Sequence, residues 1–180
     1  KTVYRQQMKI LRRHIFLSKW LLISLLYLLP AGIGNLAAQE PPPRPVRITP
    51  TAQILRFGAF YTGAGGGTVI IDPSGARTST GNVVLLNLGY TYSAAMFEVH
   101  AHRGTVLSIL KGPDVLLTGI PAGTMSLHIG NTSPPSPFVS NVNFNVSIPL
   151  YVGGTLTVGP PAANPPGTYN GTFNITLVKE

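Results

Sequence analysis

Glu98, His100 and His102 alternate with Val99 and Ala101, so an extended chain here carries all three polar side chains on one face. Two imidazoles and a carboxylate at that spacing suit zinc or copper, with Glu98 or the distant His128 completing the donor set. The same spacing also describes a solvated polar face opposite an apolar Val99 and Ala101 face, and two histidines alone do not make a coordination shell. Glu98, His100 and His102 therefore stand as metal candidates only, and no cofactor is expected. A catalytic triad lacks its nucleophile, since no serine sits in a nucleophile-elbow pattern. Paired-carboxylate catalysis would have to draw on five acidic residues, two of which, Glu40 and Glu180, fall in terminal stretches. The run Gly63-Ala64-Gly65-Gly66-Gly67 is followed by neither the lysine nor the helix start of a phosphate cradle. It leads into Thr68-Val69-Ile70-Ile71, and a flexible hairpin turn is expected. No enzymatic activity is expected from these residues.

The formal charge of +8 suggests a polyanion partner until its distribution is read. Lys1, Arg5, Lys9, Arg12, Arg13 and Lys19 lie in residues 1–38, which hold no acid. The remainder has seven basic residues (Arg44, Arg47, Arg56, Arg77, Arg103, Lys111, Lys179) against Glu40, Asp72, Glu98, Asp114 and Glu180. So thin a surplus over a whole domain is no footprint for nucleic acid. The early charges instead precede the apolar run Trp20-Leu21-Leu22-Ile23-Ser24-Leu25-Leu26-Tyr27-Leu28-Leu29, with Pro30 and a small-residue stretch to Ala38 behind it. That is the layout of a secretory signal peptide over 1–38, with Met8 as the expected initiator and cleavage after Ala38. Its apolar core is shorter than the roughly 20 residues of a spanning helix. Export to the periplasm, cell surface or exterior follows, with membrane contact only through the leader.

Cysteine is absent, so an exported chain of this kind depends on sheet hydrogen bonds and core packing. Residues 39–47 form a Pro-rich extended lead-in, and 48–180 has the size of one domain. Strands are expected at 46–60 (firmest at 54–58), 68–72, 76–80, 83–92, 95–101, 105–110, 115–118, 124–129, 141–152 and 155–158, separated by Gly, Pro and Asn turns. No segment after the leader has a helical period. At the C-terminus Tyr169, Gly171, Phe173, Ile175 and Leu177 alternate with Thr168, Asn170, Thr172, Asn174 and Thr176, the pattern of a half-buried strand running to the end of the chain. The fold class is all-β, an antiparallel β-sandwich of immunoglobulin-like or pilin-like type. Exposed aromatics on such a sandwich also suit a sugar platform, which keeps a glycan-binding module open beside the metal one.

Two blocks carry a family resemblance. Leu55-Arg56-Phe57-Gly58 is followed by Gly67-Thr68-Val69-Ile70-Ile71-Asp72-Pro73-Ser74-Gly75-Ala76-Arg77-Thr78-Ser79-Thr80-Gly81-Asn82-Val83. The closing block is Leu150-Tyr151-Val152-Gly153-Gly154-Thr155-Leu156-Thr157-Val158-Gly159 with Pro166-Gly167-Thr168-Tyr169-Asn170-Gly171-Thr172-Phe173. Together they resemble a bacterial family of exported domains of unknown function, number 4402 in that series, from about Ile48 to Val178. The closing strand is similar to those of spore-coat-U-type and fimbrial subunits. That similarity implies a structural or adhesive surface subunit of a Gram-negative bacterium, whose partners are further copies of itself, related subunits or a periplasmic chaperone. It also implies assembly by β-strand addition, with Val46, Ile48, Pro50, Ala52 and Ile54 alternating as a donor and Tyr169, Phe173, Ile175 and Leu177 bordering the acceptor. The chain departs from those pilins at Lys179, where they usually place an aromatic residue.

Overall fold

A computed structural model describes residues 44–180; the expected signal peptide at 1–38 and the first part of the expected Pro-rich lead-in lie outside the described residues. Thirteen strands, and among the described residues no helix, follow one another as β1 (Arg47–Pro50), β2 (Arg56–Phe57), β3 (Phe60–Ile71), β4 (Arg77–Leu85), β5 (Tyr92–Ser93), β6 (Ala95–His100), β7 (Val106–Lys111), β8 (Val115–Ile120), β9 (Thr124–Ser133), β10 (Phe138–Val139), β11 (Ile148–Val158), β12 (Thr168–Asn170) and β13 (Ile175–Lys179). Every pairing is antiparallel. The expected all-β antiparallel fold is what the chain adopts.

The larger sheet has eight strands along the path β1-β6-β11-β9-β8-β12, with β3 on β11 and β4 on β3. Strand β11 organises it. Along one edge its first half, Ile148 to Val152, pairs with β6, and its second half, Gly154 to Val158, pairs with β3, while its other edge pairs with β9. Gly153 sits where β6 gives way to β3, and a Cβ there would stand 3.0 Å from the carbonyl carbon of Asp72 and 3.1 Å from its Cα. The Gly153-Gly154 pair, read from sequence as a break between two strands, thus keeps one strand continuous past a close backbone approach.

The smaller sheet is β10-β7-β13, and a two-stranded ribbon joins β2 to β5. Period-two alternation turns one face of each main sheet inward. Val69, Ile71, Val99, Leu127, Leu150, Val152, Leu156 and Val158 from the larger sheet and Leu107 and Ile109 from the smaller one belong to one buried cluster. No buried side-chain nitrogen or oxygen among the described residues lacks a hydrogen-bond partner.

Four expectations need correction. The glycine run at 63–67 is no hairpin turn but part of β3, and the turn expected at Gly81-Asn82 lies within β4. The two strands pair along their length with a register shift between Thr62 and Gly67, and Gly66 and Gly81 adopt φ of 65° and 66°, the backbone a bulge demands. The expected 46–60 strand is shorter: β1 ends at Pro50, and the residues called firmest contribute only the two-residue β2. The strand expected from Tyr169 to the C-terminus is two strands in different sheets, since β12 pairs with β8 and β13 with β7. Its alternation persists through the corner except at Gly171, which is exposed: Tyr169, Phe173, Ile175 and Leu177 are half-buried, while Thr168, Asn170, Thr172, Asn174 and Thr176 are exposed.

Candidate functional site

Strand β13 is the last strand of the smaller sheet and pairs only with β7. The bonds that bracket its ladder run from Gly112 N–H to the Asn174 carbonyl at 3.2 Å and from Glu180 N–H to the Val106 carbonyl at 3.1 Å. Asn174 and Glu180 are thus in register with hydrogen-bonded positions. By the alternation of antiparallel ladders, Thr176 and Val178 also turn their backbone groups to β7, whereas Ile175, Leu177 and Lys179 turn theirs away. Among the described residues no other group hydrogen-bonds to those three. On its opposite side β7 is partnered at Val106 and Leu107 by β10 and at Ile109, whose N–H donates to Ser136 Oγ at 2.8 Å.

The inner face beside this edge is incompletely covered. Ile175 and Leu177 pack on the core yet stay half-exposed, as do Val46 and Ile48 at the β1 edge of the facing sheet, whereas Val99, Leu107 and Leu150 expose nothing. Phe173, just before β13, meets Phe97 of β6 edge to face, with centroids 6.2 Å apart and planes at 79°. Through this contact the entry to β13 lies over β6, the strand that carries β1.

Other edges are less suited to accept a strand. β10 and β12 have two and three residues, and the free edge of β4 is bent by its bulge at Gly81. β1 ends at Pro50, which has no N–H to give. β13 runs five residues in unbroken register.

The residues expected to donate a strand are divided. Val46 and Ile48 pack against the core, and β1 pairs from Arg47 to Pro50 with β6 of the same chain. Ala52 is exposed past the strand end; Ile54 is 54% exposed, its carbonyl accepting from Ser93 Oγ at 2.8 Å. Tyr169 lies on β12, and its hydroxyl donates to the Pro165 carbonyl at 2.8 Å. Ile175 and Leu177 are the two that line the open edge.

Glu98 and His100 share the outer face of β6 as the spacing predicts, with His102 just beyond the strand. The two imidazoles are engaged by one aromatic residue. His100 Nδ1 is 3.0 Å from the Phe144 carbonyl, and the Phe144 ring lies 5.9 Å from His100 and 5.1 Å from His102, the latter stacked at 21°. His128, the proposed distant ligand, instead pairs with Asp114 at 2.7 Å. Among the described residues no three His, Cys, Asp or Glu side chains are grouped to hold a metal.

Sequence reading missed Arg77, which binds the first resemblance block together: its guanidinium donates to the carbonyls of Phe57, Ala59 and Leu86 and stands 4.3 Å over the Tyr92 ring. A lone arginine in a hairpin of threonines was the available signal. The family model described as Domain of unknown function (DUF4402) matches residues 46–178, from just before β1 to the next-to-last residue of β13. The chain belongs to the DUF4402 family. No curated protein and no solved structure matches it. The DUF4402 match includes β1 and the edge residues Ile175 and Leu177 of β13 and stops one residue before Lys179.

Proposed function

We propose that this DUF4402 domain is an exported, non-enzymatic structural or adhesive surface subunit that assembles by accepting a β-strand on the outer edge of β13. The observation that carries this reading is the unpaired edge at Ile175, Leu177 and Lys179, bordered by half-buried apolar side chains. A strand laid there gains main-chain hydrogen bonds from the edge and specificity from side chains entering the seam on alternate positions. The leader-like residues 1–38 support export. With β1 engaged on β6, the accepted strand comes from another subunit and not from Val46 to Ile54 of the same chain.

The test is sedimentation of the protein recovered from producing cells. The wild type is expected in species larger than a monomer, and Leu177→Asp as a monomer with its own cooperative unfolding transition. Wild type and variant both monomeric under every condition would sink the reading.

A second reading is a glycan-binding module. It draws on Tyr90 and Tyr92, which are 70% and 48% exposed at the β2–β5 ribbon. Glycan-array binding that is lost in Tyr90→Ala, with β13 variants unaffected, would favour it.

A further inference from the structure

Lys179 constrains what the edge of β13 accepts. It follows Ile175 and Leu177 in the two-residue alternation, so its side chain leaves the strand on the core-facing side. Its cross-strand partner is Leu107, which has no exposed surface. The pair is a non-hydrogen-bonded one, the kind that brings side chains closest, about 4.5 Å between Cα atoms. The aliphatic stem of Lys179 therefore borders the apolar rim while its ammonium reaches solvent.

Among the described residues that ammonium has no carboxylate partner, the one ion pair being His128 with Asp114. Glu180, next in sequence, accepts from Ser108 Oγ on the other face. Asp72 is occupied by Ser74 and Ala76 in the β3–β4 turn, and Glu98 stands on the outer face of β6. The open edge thus offers two half-buried apolar side chains and one unpaired cation along a single inner-face row.

We infer that the strand accepted by β13 comes from a partner subunit and carries an acidic side chain opposite Lys179, with apolar side chains opposite Ile175 and Leu177. This rests on the reading of β13 as an acceptor edge. All pairings in the fold are antiparallel, and an antiparallel guest meets Lys179 first, so its inner-face order is acidic, apolar, apolar. A second β13 does not satisfy that pattern. Two such strands paired antiparallel about Leu177 set each Lys179 against the other's Ile175, a cation against an apolar side chain, the device by which natural edges discourage self-pairing.

The experiment is an NMR titration of the full chain with two acetylated, amidated heptapeptides of alternating Thr and Val. One carries Glu and the other Gln at the first inner-face position. Both are expected to shift the amides of Ile175, Leu177 and Lys179, with the Glu peptide bound about fivefold tighter, the upper range for a partly exposed ion pair. In Lys179→Glu, an exposed substitution whose folding is checked by thermal unfolding, the preference is expected to pass to the Gln peptide. Equal affinity of the two peptides for the wild type overturns the role of Lys179 and leaves the acceptor edge standing. If neither peptide shifts those amides, the acceptor reading fails as well, and Lys179 is a guard that keeps strands off the edge.

Discussion

Arg77 Nη1 donates to the carbonyl of Phe57 at 3.0 Å, tying the first residue of β4 to the last residue of β2. The same nitrogen reaches the Ala59 carbonyl at 3.3 Å and Nη2 the Leu86 carbonyl at 3.2 Å. One planar fork therefore serves three main-chain acceptors, one of which, the Ala59 carbonyl, also accepts from Leu86 N–H at 2.9 Å, and its cation lies over the Tyr92 ring. Arg77→Lys keeps the charge and loses the fork. It is expected to lower stability by about 2–3 kcal/mol, since half-buried carbonyls lose charged donors. Denaturant unfolding of the two proteins checks this; an unchanged midpoint contradicts it.

The turn from β3 to β4 carries a pH dependence. Ser74 Oγ donates to Asp72 Oδ1 at 2.7 Å and Ala76 N–H to the same oxygen at 2.9 Å. The Ser74 hydroxyl, the largest influence, holds the carboxyl below the usual carboxylate range; desolvation, next in size, opposes it, and the backbone N–H groups of Ala76, Ser74 and Gly75 add to the lowering. A depressed folded pKa contributes stability that is fully present above the unfolded pKa and is lost as pH falls through the folded one. Asp72→Ala is therefore expected to melt below the wild type at neutral pH, with the gap narrowing as pH falls through the carboxylate range. Melting curves across that range give the answer, and a gap independent of pH contradicts the assignment.

Phe173 and Phe97 join the two sheets at the entry to β13. An edge-to-face pair adds roughly 0.5–1.5 kcal/mol beyond the area it buries. A double-mutant cycle on Phe97→Ala and Phe173→Ala is expected to return a coupling of about 1 kcal/mol. Additive single effects would mean that the rings pack independently.

The terminal alternation was legible because it depends only on which side chains face inward, and Phe173, Ile175 and Leu177 face inward whichever sheet holds them. That the chain changes sheets between Asn170 and Ile175 was not legible. It depends on β12 finding β8 and β13 finding β7, pairings between residues more than 40 apart in sequence. The glycine run at 63–67 was misread because glycine permits both a turn and a bulge, and only the pairing with β4 decides between them. The outer-face placement of Glu98 and His100 followed from their spacing, while the engagement of His100 and His102 by Phe144 needed a contact across the fold. Lys179 was visible as a departure from pilin-like chains. Its place beside Leu107 on the open edge came from register alone.

Amide hydrogen exchange along β13 tests the strand-acceptor account most directly. In the isolated monomer Thr176 and Val178, bonded to β7, are expected to be protected, and Ile175, Leu177 and Lys179 to exchange freely. In the assembled form all five are expected to be protected. Slow exchange at Ile175, Leu177 and Lys179 in the monomer, or free exchange of those three amides in the assembled form, would contradict the claim that this edge is open and receives a strand.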